Sequence, residues 1–359
     1  MSITDNRSML LGCRNSMKKA VSVFLIIVIS GWIIAASFYG QERQYKVVFW
    51  NIENFFDTFY NEGREDGNFT PFGEMRWTKK RLLQKRNGIA KVIIGIGGGE
   101  PPAIVGFAEV ENRYVLNSLI NETPLAQAGY SIIHKDSPDR RGIDVAMIYR
   151  RALFTLIRAE FVRVILPDTL AATRDILYAK GIFGGRDTLH IFVNHWPSKF
   201  GGAAMSEPGR RAASNTLRDR CDSILDNNKE ANIVVMGDFN DTPDAMTITI
   251  LDNLANLSFD LYKRGEGSIK YRGAWELIDQ ILVSRNLLKN EAAEGSYPLQ
   301  YNSRGDLYAE SVSIYSPPYL LERDATYSGV KPKRTYIGPR YNGGLSDHLP
   351  TILSLKSIR

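Results

Sequence analysis

Ile233-Val-Val-Met-Gly-Asp238-Phe-Asn240-Asp241 is an unbroken apolar run that ends on a tight Gly-Asp turn. A run of this kind bounded by a turn reads as a buried strand. An unpaired charge inside it would be very costly, so Asp238 belongs at its end, on a rim. Two further stretches repeat the pattern: Leu277-Ile-Asp279-Gln-Ile-Leu-Val283 and Leu345-Ser-Asp347-His348-Leu-Pro350. Carboxylates at strand edges in distant parts of a chain point to one site at one rim of a sheet. Oxygen donors of this kind suit a hard cation such as Mg²⁺.

Three earlier stretches fit the same scheme. Tyr45-Lys-Val-Val-Phe-Trp50 runs into Asn51-Ile52-Glu53-Asn54, and Ala103-Ile-Val-Gly-Phe-Ala108 runs into Glu109-Val110-Glu111-Asn112. Leu189-His-Ile-Phe-Val193 delivers Asn194-His195-Trp196. A lone Gly-Asp-Phe-Asn says little, because Gly-Asp turns are common, but the ordered set is specific. It resembles the endonuclease/exonuclease/phosphatase superfamily of metal-dependent phosphoesterases. That superfamily includes pancreatic-type deoxyribonucleases, abasic-site endonucleases, inositol-phosphate phosphatases and bacterial sphingomyelinases. The resemblance runs from about Tyr45 to Leu355.

The resemblance implies a four-layer α/β sandwich, two packed β-sheets flanked by helices, with the site at one rim. The pattern of residues itself supports alternation. Strand 45–50 is followed by a helix capped by Thr78 and running to about Ile93, a glycine-rich exit at Gly97–Gly99, and strand 103–108. Strands 143–149 and 189–194, a helix over about 207–226 and strand 233–237 follow, before a more irregular final part.

By the same resemblance Glu109 is the principal metal-binding glutamate and Asn51 the metal-proximal asparagine. Glu53 is a metal or water contact, and Asp347 adds a metal or phosphate contact; the cation is Mg²⁺ or Mn²⁺. Asp238 orients or deprotonates the attacking water, and Asn240 holds a phosphate oxygen. Asp279 orients His348, since a carboxylate bonded to one ring nitrogen fixes the tautomer and raises basicity. His195 matches a second histidine found in nuclease-like and lipid-cleaving branches, a position where abasic-site endonucleases generally lack one. Arg141 is the candidate for the scissile phosphate. Which histidine does what stays open here.

Nearby charges have plainer readings. Asp241 caps the turn that follows, Asp144 is a partner behind the site, and Glu111 lies at the surface or behind the site. Lys199 and Arg210 meet substrate phosphates or are solvated. Of the other two histidines, His190 is packed or on a strand edge and His134 is at the surface. Cys221, the one cysteine of residues 41–359, is a buried structural residue.

At 359 residues, with no linker or internal repeat across 45–357, the chain reads as residues 1–40 plus one domain, 41–359. Residues 20–38 form an uncharged, mostly apolar run after Arg14, Lys18 and Lys19. This describes either a cleaved export signal or an uncleaved membrane anchor, and hence a periplasmic, extracellular or membrane-tethered protein. Met17 resembles a natural signal start, and Leu10-Leu-Gly-Cys13 is discounted as an acylation box because it precedes the apolar run. The 45 Lys/Arg and 39 Asp/Glu give +6; four Lys/Arg and one Asp lie in residues 1–40, leaving 41 against 38, or +3. That mild basicity suits a phosphate-bearing substrate. Nucleic acid is the expected substrate. A phosphorylated lipid or inositol phosphate is the alternative, and a non-catalytic binding module on the same fold is the third reading.

Overall fold

A strand sends successive side chains to opposite faces, and here the central strands are apolar on both. The computed structural model describes residues 42–167, 172–199, 201–288 and 307–358, with Gln44–Lys356 forming one compact unit. Strand β1 (Glu42–Phe55) gives Val47 and Phe49 to one core and Val48, Trp50 and Ile52 to another. A strand buried on both sides needs layers on both sides, and the topology supplies them.

The first sheet adds β2 (Ile104–Val110), β3 (Tyr130–His134), β4 (Asp144–Arg150), β11 (Leu307–Ile314) and β12 (Thr351–Ile358), in the order β11-β12-β1-β2-β4-β3. The second contains β5 (Phe154–Val162), β6 (Ile176–Phe183), β7 (Asp187–His195), β8 (Asn232–Asp238), β9 (Leu254–Asn256) and β10 (Asp279–Ser284), in the order β5-β6-β7-β8-β10-β9. Each sheet contains a parallel pair near its middle, β1 with β2 and β7 with β8.

The sheets meet face to face. Val47, Phe49, Ile104 and Ala108 share a core with Ile191, Val193, Val234, Met236 and Ile281. At Gly106 the approach is so close that a Cβ would lie 2.7 Å from Met236 Cε and 3.1 Å from a Val193 methyl, which explains a glycine inside β2. Outside the first sheet, helices α1 (Lys79–Gly97) and α2 (Arg113–Asn121) pack Leu82, Ile89, Ile93 and Leu116 on Trp50, Ile52 and Phe107. Outside the second, helix α3 (Ala203–Asn227) packs Ala213, Leu217 and Cys221 on Phe192, Ile233 and Val235. The result is the expected four-layer α/β sandwich, with Cys221 buried and free.

Helix α1 runs past Ile93 to Gly97 and stops at Gly98, which takes the left-handed conformation (φ 63°) that glycine tolerates. Helix α3 begins at Ala203 and carries Pro208 in its second turn. Three two-stranded ribbons fall between residues 269 and 341. No helix among the described residues is long and apolar enough to cross a membrane. The apolar run 20–38, Met17 and Cys13 lie outside the described residues.

Candidate active site

Parallel neighbours finish on the same edge of a sheet, and this puts the motif residues together. In register, Asn51 of β1 lies opposite Ala108 of β2, so Glu109 follows one position on. His195 of β7 pairs with Asp238 of β8, and the antiparallel β10 begins at Asp279, opposite the same Asp238. The ladder breaks at this rim, with register shifts between Asn51 and Phe55 and between Phe107 and Val110. Six described non-glycine residues have positive φ, and four are here: Glu53 (44°), Asn54 (57°), Glu109 (63°) and Asn240 (51°). Such conformations are costly for side-chain-bearing residues and gather where geometry is imposed by function.

One part of the rim gathers titratable side chains. His348 Nδ1 bonds Asp279 Oδ2 at 2.7 Å, while its Nε2 faces Asp238 Oδ2 at 3.8 Å. His195 Nε2 faces the same oxygen from 3.7 Å. Asp238 Oδ2 accepts from Asn51 Nδ2 at 3.0 Å, and Oδ1 accepts from the Asn240 backbone N–H at 3.0 Å. Burial and then the charge of Asp279 push the Asp238 carboxyl up to about 7, against the pull of His348. Burial alone would depress His348, but Asp279 and Asp238 outweigh it and hold the imidazole well above its ordinary value. His195 goes the opposite way, held well below its ordinary value by burial and then by the charges of Arg174, Arg141 and His348. The two imidazoles flanking Asp238 are therefore shifted in opposite directions.

Beside this set lies a group of oxygen donors. Asn51 Nδ2 also reaches Glu109 Oε1 at 3.3 Å, and the Asn54 N–H donates to Glu109 Oε2 at 2.9 Å. Asn51 Oδ1 accepts from the Glu53 N–H. Glu109 is thus held by N–H groups rather than by a cationic side chain. Glu53 and Asp347 differ, because Arg334 joins them, with Nε at 3.2 Å from Glu53 and a terminal nitrogen at 3.0 Å from Asp347. The Thr335 N–H takes the second Glu53 oxygen at 2.7 Å. Burial and then the charge of Asp347 raise the Glu53 carboxyl to about 7. An all-oxygen donor set with crowded carboxylates fits a hard divalent cation. Asn51, Glu53, Glu109 and Asp347 are the residues that would hold it, and of the three carboxylates Glu109 is the one not paired with Arg334. At this rim it is Asp238, Asp279 and His348 whose ligand atoms already lie within 4.8 Å of one another, but the 2.7 Å bond between His348 and Asp279 uses that pair.

Three further charged residues take part that the motifs did not mark. Lys85, buried in α1, donates to Glu53 O (2.5 Å), Thr335 Oγ1 (2.5 Å) and Leu345 O (2.8 Å), and burial lowers its ammonium to about 8. Its position with Leu82 and Ile89 on one helical face was a readable signal, since a lysine on an apolar stripe needs partners. Arg334 and Arg174 had no such signal. Arg174, 4% exposed, donates to Asp139 Oδ2 (2.9 Å), His195 O (3.2 Å) and Trp196 O (2.6 Å). Asn240 Nδ2 reaches that same Trp196 carbonyl at 3.0 Å. Arg141 is half-exposed and leans on Asp139 Oδ1 at 3.3 Å.

Several plainer readings are corrected. Asp241 does not cap the following turn. Its carboxylate accepts from Arg210 Nε (2.7 Å) and Thr247 Oγ1 (2.7 Å) and pairs with Lys199 at 3.2 Å. Arg210 is therefore neither solvated nor phosphate-facing but buried, because the turn offers it a buried counter-charge. The His134 ring is buried, not at the surface, with Nε2 3.5 Å from Asp144. Asp144 in turn accepts the Ser137 N–H at 2.8 Å. Glu111 is buried behind the site, where burial raises its carboxyl to about 8. His190 is packed as expected and bonded to the Tyr178 hydroxyl at 2.9 Å.

A model of the Endonuclease/Exonuclease/phosphatase family matches residues 46–357. No match was found among curated proteins. Among solved structures, the human Nocturnin catalytic domain with bound sulfate anion is similar at 16% identity and TM-score 0.54, over 89% of this chain and 98% of that one. An endonuclease/exonuclease/phosphatase family protein from Bacteroides thetaiotaomicron is similar at 14% identity and TM-score 0.51, over 89% and 96%. D. rerio TDP2 complexed with single strand DNA product is similar at 13% and 0.51, over 87% and 98%. At such identities the structural likeness speaks for the fold. With the family model covering nearly the whole domain, this chain belongs to the endonuclease/exonuclease/phosphatase family.

Proposed function

We propose that this protein is an exported, divalent-cation-dependent phosphoesterase that hydrolyses phosphodiester bonds of nucleic acid. The observation that carries the reading is Asp238 set between the Nε2 atoms of His195 and His348, with Asp279 bonded behind His348 and an oxygen-donor group around Glu109 beside it. At 3.7 and 3.8 Å the imidazole nitrogens are beyond hydrogen-bond length. Asp238 Oδ2 can therefore take a water proton as general base. His348, kept as an imidazolium by Asp279, presents Nε2–H to phosphate charge or to the leaving oxygen. Neutral His195 and the amide of Asn240 orient phosphate oxygens, and Arg141 supplies positive charge from the other side. A divalent cation, when bound, neutralises phosphoryl charge, and Glu109 with Asn51, Glu53 and Asp347 would hold it.

Nucleic acid is favoured by the fold shared with a protein crystallised with single strand DNA product, while the +3 charge of residues 41–359 suits any phosphate-bearing substrate. Exposed aromatics Phe59, Tyr60 and Phe72, on the loop after β1, offer faces on which bases stack. Purified residues 41–359 are assayed on plasmid DNA, RNA, sphingomyelin vesicles and inositol phosphates, with EDTA and with Mg²⁺ or Mn²⁺. The expected result is nucleic acid cleavage that chelation abolishes and either ion restores, and that Glu109→Gln weakens through lost cation affinity. Preferential hydrolysis of the lipid or inositol substrates overturns the substrate class. Full activity after exhaustive chelation overturns the mechanism.

A further inference from the structure

Arg141 reaches the site from the loop after β3, His195 and Trp196 from the end of β7, and Asn240 from the turn after β8. A single buried guanidinium joins all three segments. Arg174 holds the carbonyls of His195 (3.2 Å) and Trp196 (2.6 Å), and the second of these also anchors Asn240. Its remaining nitrogen bonds Asp139 Oδ2 at 2.9 Å, and the other Asp139 oxygen takes the Arg141 backbone N–H (2.9 Å) and its Nε (3.3 Å). Burial would raise the Asp139 carboxyl, but the two guanidinium charges overcome this and hold it below the usual carboxylate range. One carboxylate between two guanidiniums leaves a single surplus positive charge. Arg174 and Asp139 are nearly inaccessible and Arg141 is half-exposed, so the surplus is presented at Arg141.

We propose that Arg174 is a positioning residue with two separable effects. Its fork fixes the His195–Trp196 strand end and, through Trp196, Asn240. By sharing Asp139, it also leaves Arg141 only partly neutralised, with positive charge to offer a substrate phosphate. The inference rests on the phosphoesterase reading above and identifies what sets phosphate recognition within it.

Three variants separate these effects. Arg174→Lys keeps the charge, but an ammonium cannot match a planar fork bonded to three acceptors at once. Arg174→Met removes the surplus charge, and Asp139→Asn enlarges it. Turnover is measured on one phosphodiester substrate, and the Kd of inorganic phosphate by titration calorimetry in EDTA, so that charge balance is read independently of turnover. Arg174→Lys should lose about tenfold in kcat with KM and phosphate Kd within about twofold, the signature of lost transition-state positioning. Arg174→Met should raise KM and phosphate Kd as well, whereas Asp139→Asn should lower kcat while leaving phosphate Kd unchanged or tighter. General structural damage would instead weaken phosphate in both. Wild-type kcat in Arg174→Lys, or phosphate Kd rising in both Arg174→Met and Asp139→Asn, overturns the proposal. Should Arg174→Met fail to fold, the Lys and Asn variants still decide it. A wild-type protein inactive on every phosphate ester fails the underlying reading. An active wild type that loses activity in Glu109→Gln but not in Arg174→Lys fails this inference alone.

Discussion

His348 has a carboxylate bonded to one nitrogen and another facing the second, so its role depends on the pair it forms with Asp279. His348→Ala should lower kcat/KM at least ~10²-fold, the lower end for positioned acid–base groups. His195→Ala should do likewise, with the far-ultraviolet circular dichroism unchanged. Asp279→Asn should reproduce part of the His348 defect, and the double variant should cost much less than the product of the two single losses. Multiplicative losses would show that the two act independently. His190 gives a different kind of test. Burial and then Lys180 lower it to about 4, so the unfolded chain binds a proton the folded one refuses between its ordinary value, 6.5, and 4. Stability from this residue is therefore present above pH 6.5 and is lost as pH falls towards 4, by no more than about 3 kcal/mol. Thermal melts from pH 7 to 4 should fall less steeply for His190→Gln; parallel curves would refute the assignment. At this scale the motif residues were legible because a polar side chain ending an apolar strand is conspicuous. Arg174 was not, because an arginine ahead of a strand looks like any surface charge until the fold encloses it.

At the level of elements, the turn after β8 is fastened to α3 as well as bonded within itself. Breaking the buried pair of Arg210 and Asp241 from one side leaves a stranded charge. Asp241→Ala should therefore cost about 3–5 kcal/mol in denaturant unfolding. The paired change Arg210→Met with Asp241→Leu should recover much of that, and losses that simply add would show that the pair is not coupled. The sequence marks strands that end in motifs, and β1, β2, β4, β7, β8 and β10 appear close to their expected places. It is silent on β3, β5 and β6, which carry no motif at their ends. Strand β5, Phe-Thr-Leu-Ile-Arg-Ala-Glu-Phe-Val, is largely exposed beyond Phe154 and lies at a sheet edge, so its apolar pattern is weak. The Thr78 boundary was readable, although its side chain makes no capping hydrogen bond.

For the whole molecule, the four layers follow from strands that are apolar on both faces and from helices with one apolar stripe, which is why the architecture was legible without side-chain contacts. The pairing of Arg334 with Glu53 and Asp347 was not, since nothing local joins residues so far apart in the chain. Export belongs to this scale too. A reporter fused after Arg359 should be recovered outside the cytoplasm, as the basic residues before the run 20–38 suggest. Recovery as soluble cytoplasmic protein with an intact N-terminus would contradict it, and retention in the membrane with residues 20–38 uncleaved would identify an anchor. The placing of β12 between β11 and β1 has a consequence for biosynthesis. Trp50 Nε1 donates to the carbonyl of His348, and β1 gains its neighbour only once Thr351–Ile358 exists. While the ribosome is still making the middle of the chain, β1 keeps one edge open and the rim has neither His348 nor Asp347. Such late closure is slow, as expected of pairings between distant residues. Until Thr351–Ile358 is made, the growing polypeptide therefore lacks both the strand beside β1 and the residues that complete the rim.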